Sequence, residues 1–314
     1  MKIIFLGTPE IAVPSLEFLI NKEDIDIAAV ITQPDRPAGR GHKLTPPPVK
    51  VLAERYGIKI YQPVSIRKDV ELINLLKELK PDYFITVAFG QILSQEVLDI
   101  PKFGTINLHA SLLPKYRGAN PIQWAIINGE KVTGITTMLT DIGVDTGAML
   151  IKKEIKIPEN VTAPELSKII SQTGAQMLYE SMIGFANKTI TPVSQNNEEA
   201  THAPKLKKDD GRINWQDSAI NIHNKVRGMK PFPGTYTFFG QDQVKILETE
   251  IQNNKENIEN KNYGEILGII NNGIEVLTGK GTLIIKKLQP ACKKPVCADC
   301  WCNGARIQKG DRFI

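Results

Sequence analysis

The sequence predicts an α/β fold: a doubly wound parallel sheet followed by a second, smaller C-terminal β-barrel. Three observations carry this reading. The first half alternates apolar, β-branched runs with amphipathic stretches of about ten residues, as strands buried on both faces and joined by helices would. After Ala186 the chain turns polar. Beyond that point short strand-like runs follow one another, separated by glycine turns rather than helices. The sheet reads as Rossmann-like over residues 1–189 and the barrel as OB-like over 207–314, with 190–206 as linker.

The elements follow in order. "KIIFLG" from Lys2 is the first strand, "PSLEFLINK" the first helix and "IDIAAVIT" the second strand. A helix around "PVKVLAERYG", the strand "IKIYQ", the helix "VELINLLKELK" and the strands "YFITVAFG" and "TINLHA" continue the alternation. "TGITTMLT" and "GAMLIKKEIKI" are further strands. "TAPELSKIISQTGAQMLYESMIGF" is a long helix. Thr162 and Glu165 have the capping-box spacing, and Leu166, Ile169, Ile170, Met177 and Leu178 share one face. "SQNNEEATHAPKLKKDDG" is the linker and "SAINIHNKVRGM" a short helix. "VRGMKPFPG" is a packing and turn element. "TYTFF", "VKILETEI", "GEILGII", "GIEVLTG" and "GTLIIKKLQ" are barrel strands, with turns at Asn272-Gly273 and Gly279-Lys280-Gly281.

With 314 residues, 41% of them hydrophobic, the chain can bury two cores. Met1 leads straight into a strand, without a basic segment and a long apolar one, so no export signal is expected. No run approaches about 18 uninterrupted apolar residues, so no membrane span is expected. The cysteines Cys292, Cys297, Cys300 and Cys302 fall in one short segment and cannot staple distant parts of the chain; a reducing cytosol is the expected compartment. The net charge of +5 is uneven: residues 205–314 hold 18 Lys and Arg against 12 Asp and Glu, and the rest holds 21 against 22. A basic tail domain on a near-neutral body suits a polyanionic partner; a solvated lysine-rich surface is the plainer alternative.

The first strand ends in "LGTPE", with no G-x-G-x-x-G and with Pro9 where a dinucleotide fold needs small residues, which argues against nicotinamide or flavin binding. Two other strand ends are rich in chemistry. In "NLHASLLPKYRGANPIQWA", Asn107 and His109 are two apart, so on a strand they share a face. "TDIGVDTGAM" is a glycine-punctuated loop presenting Asp141 and Asp145. An amide to stabilise an oxyanion, an imidazole to handle a proton and a carboxylate to orient it suffice for acyl transfer to an amine. No serine or cysteine has the setting of a nucleophile, so direct transfer is expected. The alternative is that Asn107 and His109 satisfy local backbone groups.

"NLHASLLPKYRGANPIQWAIINGE" followed by "GITTMLTDIGVDTG" resembles the catalytic segment of the folate-dependent formyltransferase family. "KIIFLGTPEIAVPSLEFL", "VITQPDRPAGRGHKLTPPPVKVLA", "HAPKLKKDDGRINW", "VRGMKPFPGTY" and "GARIQKGDRF" extend the match, in order, to the tRNA-acting members of that family. The resemblance implies formyl transfer from 10-formyltetrahydrofolate to the amino group of methionine on initiator tRNA. It implies Asn107, His109 and Asp145 as the catalytic set. It also implies a folate-binding stretch at Ser111, Leu112, Leu113 and Pro114, and a pterin-pocket wall at Gln91, Ile92 and Leu93. A metal-free monomer of a bacterial-type cytoplasm is expected on the same ground. A folate-dependent enzyme acting on an amino sugar and a non-catalytic RNA-binding protein are the alternatives.

What separates a tRNA acceptor from a small amine is "QPDRPAGRGHKLTPPP", a long loop holding Arg36, Arg40, His42 and Lys43. It resembles the family's loop for the tRNA acceptor stem, with Arg40 foremost. Lys205, Lys207 and Lys208 would add sequence-independent phosphate contacts. The cysteines are spaced C-x4-C-x2-C-x-C, in which only Cys297 and Cys300 have a zinc-knuckle spacing. The family has no cysteines here, and ordinary side chains with no metal are the expectation; a specific metal site and a cluster prone to adventitious metal or oxidation are the alternatives.

Overall fold

A computed structural model describes residues 1–38, 41, 43–252 and 262–314. Arg40 and His42 lie outside the described residues. The chain forms two compact units: Met1–Pro121, Val132–Lys156 and Ser167–Ala203 in the first, Ile122–Lys131, Ile157–Leu166 and Pro204–Ile314 in the second. The units do not follow one cut along the sequence. Residues 190–203, read above as linker, belong to the first unit. Two short segments within residues 1–189 cluster with the second.

In the first unit, β1 (Lys2–Gly7), α1 (Val13–Ile20), β2 (Asp26–Ile31), β3 (Arg36–Ala38), β4 (Lys43–Thr45), α2 (Pro48–Arg55), β5 (Ile60–Tyr61), α3 (Val70–Leu79), β6 (Tyr83–Val87), α4 (Gln95–Leu98) and β7 (Thr105–His109) follow in turn. Then come β8 (Arg117–Gly118), α5 (Pro121–Ile127), β9 (Val132–Leu139), β10 (Met149–Lys156), α6 (Ala163–Ala186) and β11 (His202–Ala203), of which α5 and α6 run from one unit into the other. The central sheet has the order β10-β9-β7-β6-β1-β2-β5. β1, β2, β5, β6 and β7 are parallel, and their apolar runs are buried as expected. β9 and β10 are antiparallel to their neighbours, so the sheet is mixed rather than wholly parallel. The loop joining β9 to β10 is short, and only antiparallel neighbours can be joined by so short a connection.

The strand order reverses between β1 and β6, which opens a crevice at the carboxyl ends of these strands. Loops there are tied together: Phe89 O accepts from Thr8 Oγ1 (3.0 Å) and from Gln33 Nε2 (3.3 Å). Two described parts of the basic loop are regular. β3 and β4 form an antiparallel hairpin pairing Arg36 with Thr45 and Ala38 with Lys43. Its base is held at Asp35, which takes Lys50 Nζ (2.9 Å) and Gln62 Nε2 (2.7 Å). These contacts hold the Asp35 carboxyl below its ordinary range.

In the second unit, α7 (Ala219–Gly228) is capped by Ser218. It packs on the barrel strands β12 (Thr235–Phe239), β13 (Asp242–Gln252), β14 (Ile266–Ile270), β15 (Gly273–Leu277) and β16 (Thr282–Pro290), whose order is β12-β13-β16-β15-β14. The last residues lie between the two edges. Phe238 and Ile314 exchange backbone hydrogen bonds, Ile266 N donates to Asp311 O, and Phe313 N donates to Gly264 O. Phe313 is fully buried, with ring contacts to Trp215, Phe239 and Trp301. The cysteine segment forms β17 (Val296–Cys297), paired with β16, and α8 (Ala298–Ala305). Among the described residues, no helix is long and apolar enough to cross a membrane.

Candidate active site

Asn107 and His109 stand at the carboxyl end of β7, two residues apart on one face, as the period of a strand requires. β7 is clamped between β6 (Thr86 opposite Asn107) and β9 (Thr136 opposite His109). Thr86 Oγ1 donates to Asn107 Oδ1 at 2.8 Å. The amide oxygen is thereby occupied, and Nδ2 is the group Asn107 presents as a donor.

His109 is buried between two acceptors. Its Nε2 lies 2.9 Å from Tyr116 O, so that nitrogen carries a proton and donates. Its Nδ1 faces Asp145 Oδ2 at 3.5 Å. The same carboxylate oxygen accepts from Gly118 N at 2.8 Å, so a backbone amide aims Asp145 at the ring. Gly118 has φ +118, and a Cβ there would sit 2.8 Å from Ala203 O, where β8 lies against β11. Only glycine brings that N–H to the carboxylate.

The loop carrying Asp145 turns sharply. Asp145 itself has φ +55. A Cβ at Gly147 would stand 1.7 Å from Leu139 O, so the return into β10 requires glycine. The two aspartates divide their roles. Asp141 Oδ1 accepts from Gly143 N (3.1 Å) and Thr146 Oγ1 (2.7 Å) and closes the turn, whereas Asp145 faces the histidine.

Sequence reasoning did not find what holds this loop. Gln195 Nε2 donates to Asp145 O (2.9 Å) and Gly147 O (2.8 Å). Its Oε1 accepts from Arg117 Nε (3.0 Å) and Nη2 (2.7 Å), and Arg117 Nη2 also donates to Asn197 Oδ1 (2.9 Å). Arg117 is buried, so this amide pair solvates its charge. The position of Arg117, eight residues beyond His109, was the one available signal; Gln195 lies in a stretch that reads as linker.

The remaining sequence-derived residues divide by what the fold does with them. Ser111, Leu113 and Pro114 are buried directly after β7, and Leu112 is half-buried. Ser111 Oγ donates to Lys115 O, and Leu113 N donates to Thr136 Oγ1, so this stretch is braced internally. Gln91 accepts from Ile66 N and donates to Pro63 O, Leu93 is buried, and Ile92 stands 62% exposed. Ile142 and Val144, in the Asp145 loop, are also exposed, which places apolar side chains on the surface of the loops after β6 and β9. Arg36 and Lys43 are exposed on the hairpin, with Arg36 Nη2 donating to Gln33 Oε1. Lys205, Lys207 and Lys208 are exposed in the second unit. Arg227, in the "VRGMKPFPG" stretch, is half-buried and donates to Val161 O and Asn224 Oδ1.

Cys297 and Cys300 are joined by a disulfide, Cys302 is buried and Cys292 exposed. The bridge closes a single helical turn, so it staples no distant parts of the chain. Cys297 Sγ, Cys300 Sγ and an Asp299 oxygen lie within 4.8 Å of one another.

The chain is similar to known proteins over nearly its whole length. The formyl transferase family matches residues 1–182, and the formyl transferase C-terminal domain matches 205–306. A methionyl-tRNA formyltransferase of Clostridium perfringens (strain SM101 / Type A) is 49% identical over 310 residues, covering 99% of each chain. One of Clostridium tetani is 49% identical, covering 99% of this chain and 98% of the relative. Among solved structures, the sugar 3N-formyl transferase WlaRD has the same fold, with a TM-score of 0.67 at 22% identity over 94% of this chain and 99% of its own. The chain belongs to the formyl transferase family.

Proposed function

We propose that this protein transfers the formyl group of 10-formyltetrahydrofolate to the amino group of methionine carried by initiator tRNA. The observation that carries the reading is the meeting of Asn107, His109 and Asp145 at the carboxyl edge of the sheet, within a chain matched end to end by methionyl-tRNA formyltransferases. The amino-sugar alternative rests on a likeness of 22% identity, which speaks for the fold alone.

The folate fits the residues present: Asn107 presents an amide donor, and Ile92, Ile142 and Val144 are exposed apolar side chains on the loops after β6 and β9. The folate supplies the formyl group. Asn107 Nδ2 donates to the formyl oxygen as it gains negative charge, and His109 stabilises the same oxygen once its Nε2–H turns from Tyr116 O. Asp145 holds the imidazole in place and, directly or through water, helps move the proton from the attacking amine to the departing nitrogen. Asp145 is itself held by Gly118 N. Arg36, Arg40, His42 and Lys43 engage the acceptor stem, and Lys205, Lys207 and Lys208 engage its phosphates. The division of labour is catalysis by the N-terminal part, and tRNA binding shared between its basic loop and the C-terminal part.

The test is incubation with 10-formyltetrahydrofolate and methionyl initiator tRNA. Formylmethionine should form, and Asn107→Ala and His109→Ala should each lower kcat by about 100- to 1000-fold without loss of fold. Formylation of small amines in preference to charged tRNA would overturn the assignment.

A further inference from the structure

The cysteine segment is left unused by formyl transfer. Cys297 and Cys300 are bridged, with Cα atoms 5.3 Å apart, and both are exposed. Cys297 is the N-cap of α8, which places Cys300 in the first turn of that helix. The bridge therefore joins cysteines only three positions apart, across the junction of β17 and α8. So short a loop contributes little restraint on the unfolded chain. The packing beneath it stands on other groups: Trp301 contacts Phe239 and Phe313, and Cys302 is buried in the barrel core. Such a bridge is poorly explained as a structural staple.

Its surroundings suit exchange. A thiolate at the N-cap of a helix is stabilised by the free N–H groups and the positive end of the helix dipole, which makes Cys297 the better leaving group. Asp299 is the charge that opposes this, and its Oδ1 is engaged by Cys300 N at 2.9 Å. The third thiol of the helix is out of play, since burial pushes Cys302 up to about 11.

We infer that Cys297 and Cys300 form a reversible thiol–disulfide exchange site that reacts with low-molecular-weight thiols. In the reducing direction an external thiolate attacks Cys300 Sγ, the bridge breaks, and Cys297 leaves as thiolate and takes up a proton. A second external thiolate then attacks the external sulfur of the mixed disulfide and releases Cys300, which is protonated in turn. Two external thiols become one disulfide, and the protein gains two electrons and two protons as two S–H groups.

The test uses the full chain, without denaturant, in buffers of varied reduced-to-oxidised glutathione ratio, quenched with an alkylating agent and read by peptide mass. Cys297 and Cys300 should pass together from bridged to doubly alkylated as reduced glutathione rises, with Cys302 unmodified throughout. Oxidised glutathione should modify Cys297 in the Cys300→Ser variant at least ten times faster than Cys300 in Cys297→Ser. A bridge that reduced glutathione cannot open in the folded protein would overturn the inference, as would failure to form it under oxidised glutathione. Isolation with stoichiometric zinc and both sulfurs shielded from alkylation would overturn it in favour of a metal site. The wild-type titration decides the question even where a serine variant fails to fold.

Discussion

The orientation of one carboxylate depends on an amide fifty residues away. Asp145 sits in a loop at φ +55, a conformation that only surrounding contacts can maintain, and Gln195 supplies two of them through Asp145 O and Gly147 O. Gln195 bonds the backbone of the Asp145 loop and Arg117, which in the proposed mechanism makes it a positioning residue. Gln195→Met should lower kcat about 10- to 100-fold while leaving the KM for the formyl donor nearly unchanged. Combined with Asp145→Ala it should cost little more, because the same contribution has already been removed. A full additive loss in the double variant, or a change in thermal stability alone, would mean that Gln195 is merely structural. Asn107 and His109 were legible because the two-residue period of a strand puts both on one face. Gln195 was not, since a side chain bonding to a distant backbone carbonyl leaves no pattern in a polar stretch.

At the scale of elements, apolar β-branched runs predicted the strands well, but not their direction. β9 reads like any buried strand, and only the short glycine-rich loop after it indicated an antiparallel edge. Closure of the barrel was illegible for a different reason: Asp311–Ile314 is too short to show a period, yet its backbone pairs with both edges. Packing of α7 has a titratable consequence. His223 Nε2 bonds Asn160 Oδ1 at 3.0 Å and its Nδ1 meets Thr249 Oγ1 at 2.9 Å. The amide oxygen can only accept, so Nε2 carries the proton and Nδ1 accepts from the threonine. Burial, with Arg227 and Lys230 nearby, pushes the His223 imidazole down from 6.5 to about 4. The unfolded chain therefore takes up this proton first as the solution is acidified. Stability is fully present above pH 6.5 and is lost as the pH falls towards 4, by about 3 kcal/mol. His223→Gln should be less stable at neutral pH and should lose less on acidification. Trp124, Trp215 and Trp301 all belong to the second unit, so urea unfolding followed by tryptophan fluorescence at pH 7 and 4.5 reads this unit directly. Equal acid sensitivity of wild type and variant would exclude His223 as the cause.

Across the whole molecule, charge rather than shape discriminates between the two substrates. Residues 205–314 carry a formal excess of six positive charges, while the remainder is near neutral. Arg36 and Lys43 on the hairpin and Lys205, Lys207 and Lys208 in the second unit are all exposed, and so able to meet phosphates. Each phosphate contact releases condensed counterions, so affinity for methionyl-tRNA should fall about 100-fold or more between about 50 and 200 mM salt. In the proposed mechanism hydrogen bonds rather than phosphate contacts hold the formyl donor, and folate affinity should change only slightly over that range. Substituting glutamate for Lys205, Lys207 and Lys208 together should weaken tRNA binding and flatten its salt dependence, with formyl-donor binding unaffected. Filter binding of tRNA and fluorescence titration of folate, run in parallel, separate the two. An unchanged salt slope in the triple variant would remove these lysines from the tRNA interface. A flat slope in the wild type would remove a polyanionic acceptor altogether and return the enzyme to the small-amine class.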